Sequence, residues 1–210
     1  MRNLYVNYGC GSTAPDGWLN FDASPTLIVE RMPIVRALLP RGRRVFPDGV
    51  RRGDIVAGLP VADGSCAGVF ASHVLEHLTL DACRIALVNT RRLLRPGGVF
   101  RLVVPDLAAL VGLYVQATAE GRSDAAPLFM RESLLGEERA PQGPIGHLRQ
   151  WFGHSRHLWM WDYPSLREAV LEAGFATARR CVCGDAADPA FAAVEQPERF
   201  TNAVAIEAVR

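Results

Sequence analysis

The 210-residue chain contains no lysine, so all 23 of its basic residues are arginine. A P-loop nucleotide site ends in Gly-Lys-Ser or Gly-Lys-Thr, and that lysine contacts the phosphates. The absence of lysine therefore excludes a site of this kind. The formal net charge is only +1, so the chain lacks the overall field that would attract nucleic acid or an acidic membrane.

The sequence also lacks a long apolar run and a disulfide framework. No apolar stretch approaches the roughly 20 residues that span a bilayer, and the first residues form a predicted strand instead of a secretory leader. The five cysteines are an odd number without framework spacing, which is typical of reduced thiols in a cytosol. Cys181 and Cys183 have a spacing poorly suited to zinc. We therefore expect a cytoplasmic protein with no membrane span and no metal site.

Strand-like and helix-like segments alternate along the chain, which favours an α/β fold. The length and the 49% hydrophobic content are those of one soluble domain, here residues 1–210. Predicted strands cover about residues 3–8, 18–22, 50–53, 68–72, 99–104, 175–183 and 200–209. Predicted helices cover about residues 25–39, 80–94, 106–120 and 164–173.

Residues 121–160 break this alternation with scattered glycine and proline, several aromatics and three of the five histidines. A long segment of this composition is typical of a lid or a binding loop, and equally of an irregular excursion. We expect it to form an irregular insertion in the domain.

The most informative local pattern is the turn Gly9-Cys10-Gly11-Ser12, which follows an apolar strand, together with Asp22 at the end of the next strand. Glycine permits positive φ and close approach of a ligand to the backbone. A carboxylate at the tip of the neighbouring strand can accept hydrogen bonds from a ribose. The pattern predicts a nucleoside-type cofactor site. A nicotinamide site would need a third glycine and an acidic residue about 20 positions on, so Thr13 and the early Asp22 disfavour NAD.

Five motifs follow one another in order between residues 4 and 105. They are Asn7-x-Gly9-Cys10-Gly11, Asp22, Gly53-Asp54 with Leu59-Pro60, Ser72-His73-Val74-Leu75-Glu76-His77-Leu78, and Arg92-Leu93-Leu94-Arg95-Pro96-Gly97-Gly98. This series resembles class I S-adenosylmethionine-dependent methyltransferases, in particular a short, type 11-like branch. The resemblance implies a Rossmann-like sheet of seven mostly parallel strands with an antiparallel last strand and helices on both faces. Only residues 12–17 separate Gly11 from Trp18, too few for the usual helix between the first two strands.

The resemblance implies S-adenosyl-L-methionine as the cofactor and suggests its contacts. The turn Gly9-Cys10-Gly11 would bring bare backbone against the methionyl part, and Asn7 would contact the amino-acid end. Asp22 would hold the ribose hydroxyls, and Asp54 would contact the adenine amino group. Ser72 and His73, at the end of the fourth strand, would lie near the sulfonium and the acceptor.

Methyl transfer to a hydroxyl requires a base, and histidine has a suitable pKa. We expect His73 and His157 to be the catalytic candidates, because the resemblance places His73 where the methyl group points and His157 at the start of a family segment. Asp106 would orient the acceptor or, alternatively, cap the next helix. Glu76 and His77 have structural interpretations instead of catalytic ones. Glu76 would form an ion pair with an arginine, and His77 would cap or pack beside the start of the following helix. The remaining histidines are His147 and His154.

The acceptor expected from these motifs is a small polar molecule or a glycan. DNA amino-methyltransferases carry an Asp/Asn-Pro-Pro-aromatic motif where this chain has Ser72-His73-Val74-Leu75, and the arginines of residues 41–52 are typical of a solvated loop. Two other functions stay open at this point. One is a non-catalytic S-adenosylmethionine-binding or scaffold protein of the same fold, and the other is an NAD-dependent oxidoreductase.

Overall fold

The computed structural model describes residues 3–38, 45–137 and 156–210. Within these ranges the strands are β1 (Leu4–Tyr8), β2 (Trp18–Asp22), β3 (Arg51–Arg52), β4 (Cys66–Ser72), β5 (Leu94–Pro105), β6 (Thr177–Arg180) and β7 (Ala203–Val209). They form one seven-stranded sheet in the order β3-β2-β1-β4-β5-β7-β6. β7 is antiparallel to both of its neighbours, and the other neighbouring pairs are parallel. The expected Rossmann-like sheet with an antiparallel last strand is confirmed.

Helices lie in three of the connections between the strands, within the described residues. They are α1 (Pro25–Arg31), α2 (Pro33–Leu38), α3 (Leu80–Leu93), α4 (Leu107–Ala119), α5 (Ala125–Glu132) and α6 (Tyr163–Glu172). Three 3₁₀ turns cover Leu75–His77, Pro189–Ala193 and Pro197–Phe200. No helix in the described parts of the chain is long and apolar enough to cross a membrane.

Side-chain caps fix the starts of four helices. The hydroxyls of Ser24 and Thr79 accept backbone N–H groups in the first turns of α1 and α3, at 3.2 and 3.3 Å. Asp106 accepts the N–H of Ala108 at 3.0 Å and caps α4. Asp162 forms a capping box at the start of α6. Each cap satisfies a backbone donor that has no partner within its helix, so these boundaries could be predicted from local sequence.

Two regions differ from the sequence-based prediction. The segment 121–160, expected to be irregular, contains helix α5, while residues 138–155 lie outside the described residues. The last two strands are shorter than expected, because the chain leaves β6 after Arg180 and the 3₁₀ turn Pro197–Phe200 occupies the predicted start of β7.

The Pro96-Gly97-Gly98 turn lies inside β5 instead of separating a helix from a strand. α3 ends at Leu93, and β5 begins at the next residue. Between the Cys66–Leu94 and Gly68–Val99 pairs, two steps along β4 match five along β5, so the turn bulges out of the ladder. Gly97, at φ +72°, donates its N–H to the carbonyl of Arg210 at 3.0 Å, which satisfies the bulge.

β1 and β2 are adjacent parallel strands joined by residues 9–17 without a helix, as expected. Two buried asparagines hold this short loop. Asn7 donates from Nδ2 to the carbonyl of Thr13 at 2.8 Å, and Asn20 donates to the carbonyl of Pro15 at 3.1 Å. The side-chain amides thereby pair carbonyl groups that no connecting helix satisfies.

Both faces of the sheet are buried. Val69 and Ala71 of β4 belong to the larger apolar cluster with α3 and α6, whereas Phe70 between them packs with Phe191 on the opposite face. This alternation follows from the period of two along a strand. The second face is covered in part by the segment between β6 and β7.

Arg101 of β5 joins that segment to the sheet. Its side chain is 1% exposed and lies 2.6 Å from a carboxylate oxygen of Glu195 and 2.6 Å from one of Glu207. It also lies 3.0 Å from Asp185. Burial would lower the pKa of the guanidinium, but the surrounding acidic groups raise it, so the charge stays in place and is compensated.

Candidate active site

A cavity of about 660 Å³ opens at the carboxyl ends of β1, β2, β3 and β4. Such crevices at strand ends bind ligands in α/β folds, and the volume is typical of a small-molecule site. The lining residues come from the ends of these strands and the loops that follow. They are Tyr8, Gly9, Asp22, Ala23, Ser24, Thr26, Arg52, Gly53, Asp54, Ile55, Val56, His73, Val74, His77 and Leu78.

Asp22 lies at the end of β2 and is 7% exposed. Its two carboxylate oxygens accept the N–H groups of Gly11 at 2.9 Å and Ser24 at 2.8 Å. Each oxygen retains a further lone pair, so the group can accept additional hydrogen bonds from a ligand in the cavity.

The two glycines of the turn have different structural roles. Gly9 has φ +62°, and a Cβ added there would lie 2.2 Å from Cγ2 of Val74. Gly11 has φ +53°, but apart from its chain neighbours no atom of the described residues lies within 4 Å of an added Cβ. Gly9 lines the cavity, whereas Gly11 is not among its lining residues. The absent side chain at Gly9 therefore makes room for Val74, and at Gly11 only the backbone conformation requires glycine.

Asp54 follows β3 and lies on the cavity wall. Its Oδ1 accepts the N–H of Val56 at 2.8 Å, which holds the exposed carboxylate in a tight turn. Gly53 precedes it, and a Cβ there would lie 2.7 Å from both Leu59 and Phe21. The close packing of this glycine brings Asp54 beside Asp22 along one wall.

Asn7, Cys10 and Ser72 lie beside a separate small cavity of about 20 Å³, which also contacts Gln196 and Arg199. The Ser72 hydroxyl is buried and has no hydrogen-bond partner among the described residues. Burial, with a further contribution from the Asp22 charge, raises the pKa of the Cys10 thiol to about 12, so that thiol is neutral at physiological pH. Gly9 is the one described residue that lines both this small cavity and the main cavity.

His73 continues from β4 with φ +55°, an uncommon backbone conformation for a residue with a side chain. Its Nδ1 lies 3.2 Å from Oε1 of Glu76, and its Nε2 lies 2.9 Å from the carbonyl oxygen of Arg199. A carbonyl oxygen only accepts, so Nε2 carries the proton. Burial would lower the pKa of His73, but Glu76 and that carbonyl together raise it.

Two more imidazoles surround the same carboxylate. Nε2 of His77 lies 4.0 Å and Nε2 of His157 lies 3.9 Å from Oε1 of Glu76, and the two rings are in an edge-to-face contact at 4.9 Å. Burial lowers the pKa of His157, although Glu76 opposes that shift. Glu76 is completely buried. In the described structure its carboxylate is surrounded by histidines, and the ion pair with an arginine that the sequence suggested as an alternative is not formed there.

His157 reaches Glu76 because the segment leading into α6 is hydrogen-bonded to the 3₁₀ turn. The N–H groups of Leu158 and Trp159 both donate to the backbone carbonyl of Glu76, at 2.7 and 3.2 Å. Trp161 of the same segment is buried in the core, whereas Trp159 is 40% exposed.

Asp106 and His157 do not line the main cavity. Asp106 caps α4, and its Oδ2 lies 3.6 Å from Arg180. The remaining sequence candidates, His147 and His154, lie outside the described residues.

Comparison with known proteins agrees with the sheet topology. The sequence model of a family described as "Methyltransferase domain" matches residues 6–102. The matched segment is a domain of the class I S-adenosylmethionine-dependent methyltransferases. Its cofactor is S-adenosyl-L-methionine, so the nicotinamide alternative is not supported. No curated protein sequence matches that of this methyltransferase.

Solved structures share the fold of the methyltransferase at low sequence identity. An S-adenosylmethionine-dependent methyltransferase from Archaeoglobus fulgidus aligns with 14% identity and a TM-score of 0.52, covering 99% of this chain and 86% of its own. The complex between the Haloferax volcanii Trm112 methyltransferase activator and a methyltransferase gives 18% identity and a TM-score of 0.51, covering 100% of this chain and 83% of the other. At these identities the likeness concerns the fold alone.

The lining residues of the methyltransferase cavity fit the nucleoside end of the cofactor. Asp22 and Asp54 supply hydrogen-bond acceptors along one wall. Apolar surface for an adenine ring comes from Ile55, Val56 and Leu78. The glycine turn, with Gly9 at the cavity, leaves backbone accessible at the other end. The size and polarity of the cofactor therefore match the cavity volume and the polar and apolar groups that line the cavity.

Sequence reasoning missed several lining residues of the methyltransferase. Arg52 and Thr26 carry no motif of their own and reach the cavity only through the arrangement of strand ends. Val74 could have been found, since it stands between His73 and the Leu75–His77 turn in the recognised motif. Its contact with Gly9 depends on the adjacency of β1 and β4 in the sheet.

Proposed function

We propose that this methyltransferase transfers a methyl group to a hydroxyl group of a small polar molecule or a sugar. The observation that carries the proposal is the pair of cavity-lining imidazoles, His73 and His77, beside the buried carboxylate of Glu76. A hydroxyl acceptor must lose a proton as the new bond forms, and histidine can accept it near neutral pH. The imidazoles follow β4, which β1 separates from β2 and its Asp22 in the sheet.

The cofactor contacts follow from the lining residues. Asp22 accepts hydrogen bonds from the ribose hydroxyls with the lone pairs that Gly11 and Ser24 do not use. Asp54 accepts from the adenine amino group, and Gly9 faces the methionyl part. When bound, S-adenosylmethionine supplies an electrophilic methyl group on its sulfonium. The protein's part is to align the acceptor with that group and to exclude water.

We assign His73 as the base. Its Nδ1 lies 3.2 Å from Oε1 of Glu76, a placement like that in a histidine–carboxylate pair, while its Nε2 hydrogen-bonds to the Arg199 carbonyl. The acceptor hydroxyl takes the place of that carbonyl when it binds; the ring proton then lies on Nδ1, toward Glu76, and the lone pair of Nε2 accepts the hydroxyl proton as the methyl group leaves the sulfonium for the acceptor oxygen. Catalytic hydrogen bonds often form only in the complex with substrate. We propose no proton transfer for His157 or Asp106, because neither lines the cavity.

A small polar acceptor is supported by the charged lining residue Arg52, which would pair with a polar group of a ligand. One observation favours the second candidate, a binding protein of the same fold without methyl transfer. Both ring nitrogens of His73 already face a partner, and a ring held in this state accepts no proton.

Calorimetric titration and a methyl-transfer assay separate these functions. S-adenosylmethionine and S-adenosylhomocysteine should bind the wild-type protein, and NAD should not. In a panel of sugars, polyols and phenols, at least one hydroxyl compound should be methylated. His73→Asn should lower turnover roughly 10²- to 10⁴-fold, the contribution of a general base, while cofactor affinity stays within about twofold, because asparagine tolerates positive φ.

The matched control is Glu172→Gln, an exposed change on α6, which should leave binding and turnover unaltered. Unchanged turnover in His73→Asn would contradict its role as the base. Tight cofactor binding without methyl transfer to any hydroxyl compound would favour the binding protein.

A further inference from the structure

Three potential metal ligands meet behind the imidazole wall of the cavity. Glu76, His77 and His157 each present one ligand atom, and these atoms all lie within 4.8 Å of one another. Two of the three residues are buried, while His77 reaches the cavity surface. They come from the turn after β4 and from the segment before α6, so no sequence spacing indicates the group.

The carboxylate of Glu76 needs a cationic partner. It is completely buried, and neither of its oxygens has a partner with hydrogen-bond geometry among the described residues. A buried carboxylate in this condition is costly unless it is paired or coordinates a metal. His73 lies 3.2 Å from Oε1 without hydrogen-bond geometry, and Oε2 remains without a partner in the described structure.

The imidazole of His77 is oriented as a metal ligand is. Nδ1 of His77 lies 2.9 Å from the carbonyl oxygen of Arg156, so Nδ1 carries the proton and the lone pair of Nε2 faces Glu76. A ligating histidine usually donates its other N–H to such a carbonyl group. Nε2 of His157 faces the same oxygen at 3.9 Å, and the hydrogen bonds of Leu158 and Trp159 to the Glu76 carbonyl hold its segment there.

We propose that Glu76, His77 and His157 bind a divalent transition-metal ion, with zinc as the ion that fits best. Two imidazoles and one carboxylate are a common ligand set for catalytic zinc, which keeps a further position open. Ligands at zinc distances lie roughly 3.4 Å apart, so contacts of 3.9 and 4.0 Å need only small side-chain rotations. An acceptor in the cavity would reach the open position beside His77, which lines the cavity.

A metal at this place would act on the acceptor. Resting on the proposed function, the ion would bind the acceptor oxygen and lower the pKa of its hydroxyl, so that His73 removes a more acidic proton. Nδ1 of His73 would then hydrogen-bond to the liganding carboxylate, as partners of metal ligands do. The competing interpretation is that Glu76 serves only as the counter-ion of His73.

Metal binding is tested on the full chain without cofactor or acceptor, so the result does not depend on methyl transfer. Chelator-treated protein is titrated with ZnCl₂ by calorimetry and with CoCl₂ by visible absorption. We expect one equivalent of each ion and a cobalt spectrum of nitrogen and oxygen ligation. Glu76→Gln and His77→Gln should weaken zinc binding roughly 100-fold or more, since even partners of metal ligands contribute about 10- to 100-fold.

Cys183→Ser is the matched control, because it removes a partly exposed thiol away from the three ligands, and it should bind zinc as the wild type does. His77→Gln keeps the test valid if Glu76→Gln does not fold, since the His77 side chain is 17% exposed. The proposal is overturned if wild-type protein binds neither ion, if His77→Gln binds zinc unchanged, or if Cys183→Ser abolishes binding.

Discussion

The backbone N–H of Gly11 donates a hydrogen bond to Oδ2 of Asp22 at 2.9 Å. This contact joins the turn after β1 to the end of β2, and the second oxygen of Asp22 joins the same strand end to the start of α1 through Ser24. The short loop between β1 and β2 has no helix to organise it, so the carboxylate takes part in organising the turn. The residue that we assign to the ribose therefore also shapes the site.

Asp22→Ala should weaken cofactor binding and destabilise the fold together. Hydrogen bonds to a charged group contribute about 1.5–3 kcal/mol each, which corresponds to a loss of affinity of about 10- to 150-fold. Titration calorimetry measures the affinity, and thermal denaturation without cofactor measures the stability. Asp22→Asn should lie between wild type and alanine, because its amide keeps one acceptor oxygen.

Asp63→Ala is the control for that measurement, since Asp63 is an exposed residue paired with Arg92 and does not line the cavity. His157→Ala should likewise spare the cofactor affinity. Equal losses of affinity in Asp22→Ala and His157→Ala would show that the ribose is bound elsewhere.

Gly9→Ala should be more destabilising than Gly11→Ala. Both positions have positive φ, which costs about 1–2 kcal/mol for a residue with a Cβ. Only Gly9 adds a clash, with Val74 at 2.2 Å, and overpacking costs about 1–3 kcal/mol more. Urea denaturation gives the free energies of unfolding, provided that the slope with denaturant is unchanged.

The double variant Gly9→Ala/Val74→Ala tests the cause. Removing the Val74 methyl groups should recover the steric part, so the two changes should be non-additive in a double-mutant cycle. Additive effects, or equal losses at Gly9 and Gly11, would mean that the clash is relieved by a shift of the backbone.

Arg101→Met should lower the free energy of unfolding by about 3–5 kcal/mol, because it leaves Glu195 buried without a counter-charge. Arg179→Met offers a close control. Arg179 pairs with two of the three acidic partners of Arg101, Asp185 and Glu207, but its side chain is 48% exposed. Its loss should therefore cost about 1 kcal/mol or less. Similar losses for both variants would argue against a special role of the buried guanidinium.

Local signals predicted much of the fold. Ser24, Thr79 and Asp106 are capping residues whose effect extends over one helical turn, and α1, α3 and α4 begin within one residue of the predicted starts. The apolar run within β4 likewise predicts a buried strand without knowledge of its neighbours. These elements could be found because the physical cause and its effect lie close together in the sequence.

The rest depends on contacts between distant segments. The Pro96-Gly97-Gly98 turn stays in β5 because the chain end at Arg210 pairs with it, which no local rule foresees. For Glu76 the sequence offers an ion pair with an arginine as one alternative, yet among the described residues His73, His77 and His157 surround it. The hydrogen bonds that bring His157 there exist only in the folded protein.

Zinc should raise the thermal stability of the chelator-treated wild type. An ion that binds only the folded state at 100 times its Kd stabilises by about 2.7 kcal/mol, which for a chain of this size shifts Tm by about 5–10 °C. Differential scanning calorimetry measures the shift, and Glu76→Gln should show none. Mg²⁺ at the same concentration should have little effect, because it prefers oxygen ligands in octahedral geometry whereas two of the three ligands here are imidazoles. An equal shift with Mg²⁺ would argue against binding through His77 and His157.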